Sequence, residues 1–399
     1  MDNISGLHDD LLVKILSFLP TDVAVSTCVL SKRWEFLWMW MPNLDFISTR
    51  VPRPGLMEFI DRKLPIHRAP VIERLRLHLN WLSHTKPKDI NRWIEIAISR
   101  NVSELGIDYY SKNENLFPSS LFTCKSLVTL NLKWVALIDV PSMVYLPSLK
   151  TLELETMSVV DGKSLQKLLS NCPLLEDLSV NFSYNGNLRE FTIIIPSLKS
   201  LSLFLRSNYN LNRYEIDTPS LKYLKLVDPS HLEHYSLIKN MPKLREAYVD
   251  VGYSNLKTLN SAIRSVTYVK RLTICSMDVY GDGFVFSQLE HLNLCVCKTY
   301  SWNLLGQLLK DSPTLRVLNI SVVKDHIFDK RNGMVSWNQP SPVPECLLSS
   351  LQIFNWSGYL GSPEERDIQV WDQYMLYGPI PRTTLIELLA LGNRCSFIE

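Results

Sequence analysis

No run in the 399-residue sequence approaches the roughly 18 consecutive apolar residues that a membrane-spanning helix needs. The longest apolar stretches are short and are interrupted by proline or charge, so no membrane association is expected. Charge of one sign is also lacking. The 42 Lys and Arg residues are met by 40 Asp and Glu, leaving a formal net charge of +2. That balance supplies no field strong enough to imply nucleic acid as a partner. The first ten residues, MDNISGLHDD, have neither the basic nor the apolar region of a secretory signal. An intracellular protein, nuclear or cytoplasmic, is therefore expected. Its eight cysteines (Cys28, Cys124, Cys172, Cys275, Cys295, Cys297, Cys346 and Cys395) are scattered and include no CxxC pair. They read as reduced, mostly buried small side chains. The Asn-x-Ser sequons, such as Asn181 to Ser183, then carry no glycosylation meaning.

Glycine is sparse, at 14 residues, and no glycine-rich phosphate loop, HExxH or GxSxG motif is present. Two local patterns could suggest chemistry. His231 and His234 bracket Leu-Glu, but no further ligand residue accompanies them, so a polar connector after Pro229 is expected and not a metal site. Cys295 and Cys297 alternate around Val296 and should point the same way, off the leucine face, as an ordinary reduced pair. No enzyme, cofactor or metal is expected. Hydrophobic residues nevertheless make up 46% of the chain and charged residues 21%, so it must fold around a core.

The first 45 residues carry one pattern. Asp9 can cap a helix containing Leu11, Leu12, Ile15, Leu16, Phe18 and Leu19, and Pro20 stops it. Leu11, Ile15, Phe18 and Leu19 form a stripe at helical spacing, with Leu12 and Leu16 beside it. Thr21 can open a second helix to about Leu30, and Ser31 a third that contains Trp34, Leu37 and Trp38. Three such short helices cannot bury this much apolar surface among themselves. Some of it either seals the rest of the chain or meets a partner. Trp38 to Met41 is expected to pack on the first repeat.

From about residue 70 another pattern takes over. A unit of the form L-x-x-L-x-L recurs as SLVTLNL (Ser126 to Leu132), SLKTLEL (Ser148 to Leu154), SLKSLSL (Ser197 to Leu203) and SLKYLKL (Ser220 to Leu226). Weaker copies run from Ile72 to Leu77, Val102 to Ile107, Lys243 to Val249, Val269 to Ile274, Gln288 to Leu294 and Thr314 to Ile320. Successive units from Leu127 to Leu315 are 20 to 26 residues apart, the period of leucine-rich repeats. The last two apolar positions of each unit are two apart and share one face of a strand. Helical connectors are expected at Gly162 to Leu169 and Trp302 to Leu309. The fold class is therefore α/β: a small three-helix N-terminal body followed by a curved solenoid of about a dozen parallel strands.

The N-terminal block closely resembles the F-box of plant F-box/leucine-rich-repeat/FBD proteins. The match runs through ISGLHDDLLVKILSFLPT (Ile4 to Thr21), VLSKRWEFLW (Val29 to Trp38) and PNLDF (Pro42 to Phe46). CLLSSLQIFNWSGYLGSPEER (Cys346 to Arg366) resembles the opening of an FBD domain. This divides the chain into an F-box at 1–47, a solenoid at 48–335 and a shortened FBD-like segment at 336–399. Two departures stand out. His8 replaces a proline usual in the family, and the region from Trp371 to Ile380, before the closing segment Thr384 to Ser396, looks compressed.

The resemblance implies the substrate-recognition subunit of an SCF-type ubiquitin ligase. The F-box would dock a Skp-type adaptor, and through it a cullin-RING ligase, while the solenoid holds a protein target for ubiquitination. Leu7, Leu11, Ile15, Leu16, Leu19, Pro20, Val29, Leu30, Trp34 and Leu37 are the candidates for adaptor docking and F-box packing together. Residues 1–45 are expected to be removable without unfolding the repeats. On the strand face, aromatic and charged side chains without a core role are the better contact candidates. Phe204, Tyr223, Glu246, Tyr248 and Arg271 fall on neighbouring units and are the candidate target site, with the segment around Trp356 and Tyr359 next in line. Two other readings are a non-catalytic scaffold with a vestigial F-box and a small-molecule-sensing receptor that uses a solenoid pocket.

Overall fold

Alternation of apolar and polar residues at the end of each repeat gives a strand with one buried face, and the strands then stack in parallel. The computed structural model describes residues 4, 6–47, 55–79, 86–109, 117–137, 140–159, 162–182, 188–205, 211–230, 234–252, 255–276, 278–295, 301–321 and 342–356. These fall into two units, Met1–Phe191 and Thr192–Glu399.

Unit 1 opens with helices α1 (Asp9–Leu16) and α2 (Thr21–Ser26), followed by 3-10 turns at Thr27–Val29 and Trp34–Trp40. His8, and not Asp9, occupies the N-cap position of α1, and its carbonyl accepts from the amides of Leu11 and Leu12 at 3.0 and 3.2 Å. Asp9 and Asp10 instead sit in the first turn, where they complement the helix dipole. The third helix is a 3-10 segment that starts at Trp34. Leu12, Leu16, Ala24, Trp34, Leu37, Trp38, Met39 and Met41 form one buried cluster, with Leu7, Val13, Val25 and Phe59 packed against it.

The chain then passes directly into the repeat sheet. Strand β1 (Asn43–Ile47) pairs in parallel with β2 (Arg74–Leu79), placing Leu44 beside Leu75 and Phe46 beside Leu77. Between them lies helix α3 (Leu56–Lys63), whose Phe59 stacks near Trp38 at 5.4 Å and Phe46 at 6.5 Å. The amide of Asp45 donates to Thr21 Oγ1 at 2.8 Å, and the amides of Arg68 and Ala69 both donate to the Met39 carbonyl. Of the stretch Trp38 to Met41, Trp38 meets Phe59 and His67, the Met41 carbonyl lies 2.9 Å from His67 Nε2, and Met39 and Met41 belong to the helical cluster, whereas Trp40 is exposed. The F-box segment and the repeats share β1, so removing residues 1–45 would take Asn43, Leu44 and Asp45 from the edge strand, uncover Leu75 and remove Trp38 from Phe59.

The sheet of unit 1 continues through β3 (Glu104–Tyr109), β4 (Thr129–Leu137), β5 (Thr151–Val159) and β6 (Asp177–Phe182), in sequence order and all parallel. Two buried columns run across it: Leu44, Leu75, Leu105, Leu130, Leu152, Leu178 and Phe46, Leu77, Ile107, Leu132, Leu154, Val180. Helix α4 (Pro87–Ser99) starts with proline at its first turn and buries Ile90, Trp93, Ile94 and Ala97, a helical stripe the repeat pattern had hidden. Trp93 Nε1 donates to Asp61 of α3 at 2.7 Å. Helix α5 (Gly162–Ser170) is where a connector helix was expected.

Strand β7 (Glu190–Ile194) spans the point of division. Unit 2 stacks β8 (Ser200–Phe204), β10 (Tyr223–Asp228), β12 (Glu246–Val251), β13 (Arg271–Ser276), β14 (His291–Cys295), β15 (Val317–Ser321) and β16 (Ile353–Trp356) in one parallel sheet. A second pair, β9 (Arg213–Asp217) with β11 (Tyr235–Ile238), is also parallel. Helices α6 (Leu256–Ser265) and α7 (Ser301–Asp311) lie in the connections, the latter at the second expected site, and α8 (Glu345–Ser349) precedes β16. The Trp371–Ile380 and Thr384–Ser396 stretches lie outside the described residues.

Replacing Leu201 or Leu224, both 0% exposed, with alanine should cost about 2–5 kcal/mol in a denaturant titration. A loss well below 1 kcal/mol would mean that these columns are not core. His67 gives a second test. It is buried beside Trp38, its Nε2 is 2.9 Å from the Met41 carbonyl, and its pKa falls from 6.5 to about 4. Burial is the main cause and the Arg100 charge adds to it, while the Met41 hydrogen bond opposes both. The unfolded chain thus binds the proton first as pH falls, so stability is full above about 6.5 and declines toward 4. The decline should reach up to about 3 kcal/mol and be absent in His67→Gln; parallel pH profiles for the two proteins would overturn it.

Candidate functional site

The ten candidate F-box residues separate into two groups. Leu16, Trp34 and Leu37 are buried in the helical core, and Leu7 packs against its edge. Leu11, Ile15, Leu19, Pro20, Val29 and Leu30 are exposed. The α1 stripe therefore faces solvent, while Leu12 and Leu16 beside it face inward. The ten candidates leave out Ile4, Phe18 and Val23, which are exposed as well, Phe18 by 81%. Phe18 had a legible signal, since it continues the Leu11–Ile15 spacing into the turn after α1. Val29, 86% exposed, and Leu30, 63% exposed, add apolar surface at the end of the first 3-10 turn. A helical body with a complete core that still displays this many large apolar side chains is the candidate interaction surface of the chain.

His8 sits at the start of this surface with φ −65°, the value a proline ring would fix, and ψ 150°, in the polyproline range that proline accepts. The substitution therefore keeps the shape of the turn into α1. Arg33 reinforces the turn, donating to Asp9 Oδ1 at 2.8 Å and also to the Leu7 carbonyl.

The outward strand positions differ between the units. In unit 1 they are joined by cross-strand pairs of opposite charge: Arg74 with Asp45, Arg76 with Glu104, and Lys133 with Glu153. In unit 2 the five candidate target residues are brought together. Tyr223, Glu246 and Arg271 are successive partners across β10, β12 and β13, and Phe204 lies opposite Val227. Glu246 and Arg271 are exposed; Phe204, Tyr223 and Tyr248 are half-buried. Burial, and then the Glu246 carboxylate, raise the pKa of the Tyr223 phenol. Lys225, left out of the candidate set, is central to it. Its ammonium lies over the Phe204 ring at 4.8 Å and the Tyr248 ring at 5.0 Å, held between two π faces. Farther along, side-chain amides form a ladder: Asn293 donates to Thr273 at 3.2 Å, Asn319 donates to Asn293, and Asn355 donates to Asn319 at 2.9 Å. The side chain of Trp356, with Tyr359, lies outside the described residues.

The two sequence patterns that could suggest chemistry resolve differently. His234 is not part of a solvated connector. It is buried, with Nε2 2.8 Å from Asp228, Thr258 Oγ1 at 3.3 Å and the Tyr214 ring centroid at 5.5 Å, while His231 lies outside the described residues. Cys295 is off the leucine parity yet buried, and Cys297 lies outside the described residues. Burial pushes the Cys172 thiol up to about 12 and the Cys346 thiol to about 11, which makes both poor nucleophiles. Among the described residues no group of three or more His, Cys, Asp or Glu could hold a metal ion, and no helix is long and apolar enough to cross a membrane.

Comparison with known proteins agrees with this anatomy. The F-box domain family matches residues 4–46, a family described as "FBD-associated F-box protein At5g56370, LRR repeats" matches 90–274, and the FBD family matches 339–369. The chain is 63% identical over 374 residues to the FBD-associated F-box protein At5g38590 of Arabidopsis thaliana, covering 93% of this chain and 90% of that one. It is 54% identical to the FBD-associated F-box protein At4g10400 of the same plant, over 93% and 89% of the two chains. It is 44% identical to the putative F-box/FBD/LRR-repeat protein At5g62970, also from Arabidopsis thaliana, over 93% and 90%. With an F-box, leucine-rich repeats and an FBD segment in the same order, the chain belongs to the FBD-associated F-box proteins.

Proposed function

We propose that the chain is the substrate-recognition subunit of an SCF-type ubiquitin ligase. The exposed apolar face of the F-box docks a Skp-type adaptor, which links the chain to a cullin-RING ligase. The observation that carries this reading is the division of the α1 side chains. Leu12 and Leu16 complete the inner core while Leu11, Ile15, Phe18 and Leu19 remain outside it with Val29 and Leu30. In this reading residues 1–47 dock the adaptor, 48–335 hold the target and 336–399 close the repeat array. The chain makes and breaks no bonds. It raises the effective concentration of a target beside the charged ubiquitin-conjugating enzyme and fixes its orientation.

Continuity between the F-box and the sheet supports such a role. Because β1 is a strand of the repeat sheet, the docking face is held at a set angle to the first repeats and not on a free linker. The proline-compatible backbone at His8 favours an intact docking turn over a vestigial one. The target lies on the unit 2 strand face, against Phe204, Tyr223, Glu246, Tyr248 and Arg271, where aromatic rings and charges adjoin.

Two measurements test the reading. Phe18→Ala and Leu30→Ala should each weaken binding to a purified Skp-type adaptor at least about tenfold without lowering the melting temperature. Unchanged affinity in the double variant would remove this face as the docking site, and failure of the intact chain to bind any adaptor would favour a scaffold. For the target, proximity labelling in cells with ligase activity blocked compares the intact chain with a variant carrying alanine at all five strand-face positions. Adaptor labelling should persist in both, and a subset of other labelled proteins should vanish in the variant. An identical set from both would place recognition elsewhere.

A further inference from the structure

The residue immediately before the first outward position of each strand forms a row along one edge of the sheet. In unit 2 four consecutive strands place a cation there: Lys199 before β8, Lys222 before β10, Arg245 before β12 and Lys270 before β13. Backbone hydrogen bonds fix the alignment. The Lys222 amide donates to the Lys199 carbonyl at 2.8 Å, that of Arg245 to Lys222 at 2.9 Å, and that of Lys270 to Arg245 at 2.9 Å. Adjacent members are thus one strand apart, roughly 4.8 Å, and all four are exposed. Glu290 continues the row and pairs with Lys270 at 3.1 Å.

Like charges on neighbouring strands destabilise a sheet, so such a row is not a neutral outcome of repetition. Unit 1 supplies the comparison. Its corresponding backbone ladder reads Glu73, Ser103, Val128, Lys150 and Glu176, mixed in sign and partly uncharged. Beside the unit 2 row lie Arg271 and the ring-held Lys225, against Glu246, the one exposed carboxylate at an outward position of these four strands; Asp250, on the same face of β12, is buried. A local departure from charge balance that costs stability is expected where a surface serves recognition.

We propose that this basic row, together with Lys225 and Arg271, receives an acidic extended peptide, a short Asp/Glu-rich segment of the protein that the chain recognises. Three strand spacings span about 14 Å, the length of about four residues of extended chain. A peptide of that size carries as many charges as the row and can pass Glu246. The uninterrupted phosphates of a nucleic acid would meet both Glu246 and Glu290, and the chain as a whole carries a net charge of only +2. The proposal rests on the reading of the unit 2 sheet as the target-holding surface and adds the chemistry of what is held.

The test uses the intact chain and a fluorescein-labelled octaglutamate, followed by fluorescence anisotropy at low and at physiological salt. Octalysine, a single-stranded RNA oligonucleotide and adaptor binding are measured on the same preparations. The octaglutamate should bind, more weakly as salt rises. Lys199→Gln/Lys222→Gln/Arg245→Gln should weaken it roughly tenfold, a few-fold per exposed charge, while Lys125→Gln/Lys150→Gln in unit 1 leaves it unchanged. Adaptor affinity should be equal in all three proteins. No octaglutamate binding, equal loss in the unit 1 control, or tighter binding of RNA that depends on the row would each overturn the proposal. A chain that docks the adaptor but ignores octaglutamate sinks this inference alone. One that binds octaglutamate through the row but no adaptor sustains it and sinks the ligase reading.

Discussion

A repeat of 20 to 26 residues cannot bury its own leucines, and everything else in this protein follows from that constraint. Each strand offers two apolar side chains to the interior, and only the strand before it and the strand after it can cover them. Parallel pairing in strict register is the solution, so that Leu201 meets Leu224 and Leu203 meets Leu226. The end of such a stack is its weak point, because an edge strand leaves one side of its leucines bare. At the N-terminal end this protein closes the edge with a strand of the F-box itself. The same residues that finish the helical body, Met39 to Phe46, also begin the sheet.

With the interior committed to leucine, variation is left to the outward positions. In unit 1 these are matched in charge from strand to strand, through Arg74 with Asp45 and Arg76 with Glu104. Such a surface satisfies itself. In unit 2 the outward positions hold an ammonium between two rings and a ladder of amides, with four cations aligned along one edge. The two units share one backbone rule and differ in what that rule is used to display.

Much of this was legible in the sequence because the leucine spacing is a direct consequence of strand geometry. Positions such as Leu127, Leu149 and Leu221, and the helical connectors at Gly162 and Trp302, follow from period and composition alone. What was not legible depended on direction or on distant neighbours. Leu11 and Leu12 are chemically alike, and only the fold says that the first is outside and the second inside. The strand Asn43–Ile47 was hidden within the F-box resemblance, since two apolar residues in alternation, Leu44 and Phe46, are a weak signal without β2 beside them. Helix α4 falls between two weak L-x-L units, although Pro87 and the Ile90–Trp93–Ile94–Ala97 spacing mark it. His234 reads as a polar loop residue because its partners Asp228, Tyr214 and Thr258 are brought together only by three separate elements.

In unit 1 a small helical body is fused to the first strands of the repeat sheet, and in the proposed reading its outer face docks the adaptor. Hydrogen–deuterium exchange of the intact chain, with and without a purified Skp-type adaptor, tests that account most directly. Adaptor binding should slow exchange in the segments Leu11 to Leu19 and Val23 to Leu30, with a smaller effect carried into β1, and leave β8, β10 and β12 unchanged. Exchange that is unaltered in the F-box, or altered only on the unit 2 strands, would contradict it.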